Sequence, residues 1–84
     1  MKKLVECSEE GLEGLMGKTV TFFCANYIYA GELIGVNDTC VLLKNPCIVY
    51  ETGPFNEKGW KDAQPLPKEL YIMVGAIESF GEVK

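Results

Sequence analysis

The chain has 84 residues and a formal charge of −4, with 48% hydrophobic and 24% charged residues. That suits one soluble globular domain of roughly 100 residues or fewer, and it excludes disordered and collagen-like classes. All eight cations are lysine, and there is no histidine or arginine. A Ser-His or Cys-His nucleophile therefore lacks its base, and no carboxylate pair stands out, so the composition predicts a protein that is not an enzyme.

The first element predicted is a short helix over residues 8–16. Ser8 is placed to cap it, Glu9 and Glu10 suit the positive end of its dipole, and Leu12, Leu15 and Met16 fall on one stripe. Gly11 and Gly14 weaken it, and Gly17 is placed to stop it. The acids Glu6, Glu9, Glu10 and Glu13 account for the whole net charge. The remaining residues hold eight lysines against eight acids.

From Lys18 the pattern turns to β-structure. Residues 19–24 are β-branched and aromatic, and 27–36 continue as a second strand. Gly31 and Gly35 inside it predict bends or bulges. Asn37, Asp38 and Thr39 form a polar turn, because their side chains satisfy nearby backbone groups. A third strand runs from Cys40 to Tyr50, with Pro46 expected at a bulge or an edge. Residues 51–68 read as one long irregular loop holding three of the four prolines and the aromatics Phe55 and Trp60. Such loops are usually functional or mobile. Two apolar strands close the chain over residues 69–82, joined tightly around Gly75.

The four cysteines contain no C-x-x-C pair, so no metal site is expected and no cofactor is implied. No run reaches the ~20 apolar residues of a membrane span, and no signal-peptide pattern follows the basic start. These features predict a cytoplasmic protein with reduced thiols and no membrane partner. One helix followed by five strands, the second strongly bent, predicts a mainly β fold: a small, strongly bent five-stranded antiparallel barrel.

This pattern resembles the Sm/LSm family, which includes the bacterial RNA chaperone Hfq. Tyr29-Ala30-Gly31-Glu32-Leu33 and Asn37-Asp38-Thr39-Cys40-Val41-Leu42 resemble the two parts of the first Sm motif. Ile72-Met73-Val74-Gly75-Ala76-Ile77 resembles the second, and the 51–68 loop lies between the third and fourth strands. The chain is also similar to small Sm-like proteins attributed to cyanophage, which would place it in a host cytoplasm. The resemblance implies an SH3-type barrel and a homo-oligomeric ring of about five to seven copies. In such a ring the fourth strand of one copy pairs with the fifth strand of its neighbour. Leu70, Tyr71, Ile72, Met73, Val74, Ile77 and Phe80 would form that interface, and as bare apolar edges they would be unusual in a monomer.

The resemblance further implies single-stranded RNA or DNA binding at the turns holding Asn37, Asp38, Thr39 and Gly75. The family's base-reading residues are not kept. Val41 stands where Sm proteins carry asparagine, Thr39 where Hfq carries a stacking aromatic, and Val74 where the second motif is basic. Outside those turns, Lys44, Lys58 and Lys61 can supply charge, and Trp60 can supply a stacking platform. Each has an everyday reading too: the lysines as solvated charges, Trp60 as a packing anchor. Two functions follow. One is a ring that binds single-stranded nucleic acid. The other is a structural or protein-docking ring that meets its partner through the 51–68 loop.

Overall fold

The computed structural model describes residues 3–5 and 10–84. In chain order the elements are α1 (Gly11–Gly14), β1 (Thr19–Cys24), β2 (Ile28–Val36), β3 (Cys40–Glu51), β4 (Asp62–Pro65), β5 (Leu70–Met73), a 3-10 turn (Val74–Ala76) and β6 (Ile77–Gly81). The mainly β reading holds. The sheet has six antiparallel strands rather than five, and it does not close into a barrel. Its order is β4-β3-β2-β1-β6, with β5 also paired to β3.

The sixth strand comes from the stretch expected to be irregular. Cys47, Ile48, Val49 and Glu51 pair with Pro65, Gln64, Ala63 and Asp62. Asp, Ala and Pro are poor strand formers, so nothing local marks β4. It forms because the second half of β3 offers a free ladder, and Pro65 is tolerated at its end.

β3 is the organising strand. Its first half, Cys40 to Leu43, pairs with β5, and its second half, Cys47 to Glu51, pairs with β4. The change of partner coincides with the bulge predicted at Pro46. The β2–β3 register shifts between Ala30 and Glu32, where Asn45 adopts φ 50°. Gly31 lies opposite. A Cβ there would come within 3.2 Å of the Leu43 Cβ, the Lys44 carbonyl oxygen and the Pro46 Cα. Only glycine lets the two backbones approach so closely. A second shift, between Leu33 and Gly35, matches the other predicted bend.

The core buries Val20, Phe22, Leu33, Val41, Leu43 and Ile72, with Leu12, Leu15, Leu70, Val74 and Ile77 packed against them. α1 is only four residues long, and Glu10 at its N-cap makes no side-chain cap. Gly11 at φ 65° and Gly14 confine it to one turn. Met16 does not join the Leu12/Leu15 stripe and is exposed. The predicted cap Ser8 and Glu9 lie outside the described residues. Gly17, at φ 84°, ends the turn as expected, and its N–H donates to the Leu33 carbonyl at 2.7 Å. Among the described residues no helix is long and apolar enough to cross a membrane.

Candidate functional site

The predicted site residues separate into three groups. The first is at the start of β3. The Asn37 carboxamide oxygen accepts from the Thr39 N–H at 2.8 Å, the Thr39 hydroxyl at 3.0 Å and the Cys40 N–H at 2.9 Å. Asn37 is thus a turn former whose carboxamide oxygen is already engaged. The Val74 N–H donates to the Thr39 carbonyl at 2.8 Å. That bond joins the 37–39 turn to the 3-10 turn holding Gly75. Asp38 and Gly75 are exposed there, and the cluster contains no cation.

The second group is the hairpin loop after β3. Lys61 pairs with Glu51 at 3.3 Å, both ends exposed, so the pair adds little stability. Trp60 is partly buried beneath Lys84, whose Nζ lies 4.7 Å from its ring centroid and 5.7 Å from that of Phe55. The same ammonium donates to the Thr52 carbonyl at 2.6 Å and the Gly59 carbonyl at 2.7 Å. Trp60 therefore anchors this loop. Lys58 is exposed beside it.

Lys44 belongs to neither group. With Lys68 and Glu69 it lines an open polar recess of about 400 Å³ at the kink of β3. The first two groups sit at opposite ends of β3, twelve residues long, or roughly 40 Å of strand contour. No hydrogen bond, ion pair or ring contact joins them among the described residues.

The structure also gathers the predicted interface residues Tyr71 and Met73 with tyrosines that sequence reasoning did not place beside them. All four tyrosines of the chain lie around Cys24. An open groove of about 190 Å³ runs between the β1–β2 turn and β5, lined by Tyr27, Tyr29, Tyr71 and Met73. Tyr27 and Tyr29 are in ring contact at 6.1 Å. Tyr50 stands on the far side of Tyr27, across a neighbouring recess. Tyr71 is 66% exposed and Met73 60%, whereas Ile72 between them is 5% exposed. That alternation is a strand with one face on the core and the other in solvent. Of the predicted interface residues, Leu70, Val74 and Ile77 also pack inward, and Phe80 is partly exposed while stacking on Phe22 at 6.2 Å.

Burial pushes the Cys24 thiol above its ordinary range, and the Glu78 carboxylate adds to the shift. Burial likewise raises the Tyr29 phenol, helped by Cys24, Tyr27 and Tyr50. Cys47 is raised by burial, partly offset by a backbone hydrogen bond at Ala30. These thiols are protonated at neutral pH and are poor nucleophiles. Among the described residues no group of three Cys, Asp or Glu side chains is arranged to hold a metal ion. The chain matches no family model, no curated protein and no solved structure.

Proposed function

We propose that this chain is an Sm-like open sheet that closes into a homo-oligomeric ring and serves as a protein-docking platform. The supporting observation is the edge pair: among the described residues β5 pairs only with β3 and β6 only with β1, so each keeps one bare ladder. Beside the bare edge of β5 stand Tyr71, Met73 and the tyrosine groove. An unpaired strand flanked by exposed apolar side chains is a template for another strand. Antiparallel addition of β6 from a second copy covers it, and head-to-tail repetition closes a cycle. Lysines at Tyr71 and Met73 together should convert a ring of about five to seven copies to monomer, as read by native mass spectrometry. A wild-type chain that is monomeric at micromolar concentration would sink the proposal.

Protein rather than nucleic acid is the favoured partner because three of the candidate nucleic-acid residues already have partners within the chain. The Asn37 oxygen is filled, Lys61 is paired with Glu51, and Trp60 is covered by Lys84. The second reading, single-stranded nucleic acid, draws on the Thr39–Val74 bond, which joins the two turns that the resemblance assigns to it. Short oligonucleotides added at low ionic strength discriminate the two. The docking reading expects bare rings. One oligonucleotide per ring, released steeply by salt, would transfer the function to nucleic acid.

A further inference from the structure

The environment of the Lys84 ammonium is unlike that of any other lysine among the described residues. It forms no ion pair among the described residues. Instead it donates to two main-chain carbonyls, Thr52 at 2.6 Å and Gly59 at 2.7 Å, and faces the rings of Trp60 at 4.7 Å and Phe55 at 5.7 Å. Carbonyl dipoles and aromatic faces together are the chemistry that recognises an alkylammonium group, with tryptophan the strongest ring for it. Two of the three N–H donors are satisfied by oxygen, and the positive charge rests against π-density.

The loop also has contacts that do not involve Lys84. Gly53 adopts φ 67°, the Glu57 N–H donates to the Pro54 carbonyl at 3.2 Å, and the Lys61 N–H donates to the Thr52 carbonyl at 3.4 Å. Lys61 also pairs with Glu51, and β4 closes the hairpin on β3. Lys84, by contrast, arrives on residues 82–84, which belong to no strand or helix. A lysine carried on irregular backbone, against a loop that has further contacts of its own, is a replaceable ligand.

We propose that the 52–61 loop is a receptor for a lysine ammonium group, filled in cis by Lys84 and open in trans to a lysine side chain of a partner protein. The assignment does not depend on ring formation. It also sets a preference: two carbonyl acceptors require N–H donors, so a primary ammonium binds better than a trimethylated one. A site built from rings alone would favour the reverse.

Trp60 is the sole tryptophan and reports on the cage directly. Its fluorescence in Lys84→Gln should respond saturably to Nα-acetyl-lysine methylamide, with a Kd on the order of 1 mM. The wild-type chain should bind about tenfold more weakly, because its own lysine competes at high effective concentration. The trimethyl-lysine amide should bind more weakly than the lysine amide, and Phe55→Ala in the Lys84→Gln background should weaken the response. No saturable response, equal binding by both chains, or tighter binding of the trimethyl form would overturn the proposal. The Gly59 amide and Trp60 indole resonances should stay dispersed in Lys84→Gln. Their collapse would also overturn it, since the cage would then depend on Lys84.

Discussion

The two halves of β3 are one continuous strand built to different ends. Before the Asn45–Pro46 bulge, Val41 and Leu43 are fully buried, and the partner strand β5 contributes Ile72 to the same core. Beyond it, the partner strand β4 reads Asp-Ala-Gln-Pro and buries none of its residues, although Val49 and Pro46 are buried on β3 itself. The first half is held by the hydrophobic effect. The second is held by a backbone ladder. A single strand can therefore form a core wall and then carry a hairpin into solvent, provided that a bulge lets it change partners between the two.

The largest test of this contrast is truncation in the first half. Leu43→Ala removes a fully buried side chain and should cost about 2–5 kcal/mol. Ala63→Ser, on the outer strand of the second half, should fall within about 0.5 kcal/mol. Urea unfolding curves compare the two directly, and equal losses would erase the distinction. Next is the joint itself. Gly31→Ala drives a methyl group against Leu43, Lys44 and Pro46 and should cost about 1–3 kcal/mol. For a domain of this size that lowers Tm by about 4–8 °C per kcal/mol, and an unchanged Tm would mean that the bulge can relax.

A smaller effect follows from pH. Cys24 and Cys47 are raised in the folded chain, so their contribution to stability is complete below the ordinary thiol pKa of about 8.5. It is lost as pH rises beyond that value, because the unfolded thiols ionise first. Thermal melts from pH 7 to 9.5 should show falling stability, and Cys24→Ala with Cys47→Ala should flatten the slope. Smallest of all, Lys61→Ala removes an exposed pair with Glu51 and should change stability by less than about 1 kcal/mol.

How much of this was readable beforehand depended on how local the signal was. β1, β2 and β3 were legible because β-branched runs, the glycines at 31 and 35 and the proline at 46 act within a few residues. The apolar runs that become β5 and β6 were legible for the same reason. β4 was not, since its residues carry no strand preference and pair only because a ladder lies next to them. The helix over 8–16 was overread: Leu12 and Leu15 do face the core, but two glycines outweigh the periodicity.

The site divides in the same way. Asn37 as a turn former and Trp60 as an anchor were among the readings available from residue chemistry alone, and the geometry favours both. The tyrosine groove was hidden, because Tyr50 and Tyr71 reach Tyr27 and Tyr29 only through strand register and sheet curvature. Lys84 was hidden as well, lying 32 residues from Thr52.

The sequence by itself determined the β class, the bends and the turn chemistry, since propensity and backbone sterics act along the chain. Tertiary structure alone decided which edges stay bare, where the tyrosines collect and which lysine fills the loop. Those outcomes depend on pairing between distant segments, and no residue carries that information in its own neighbourhood.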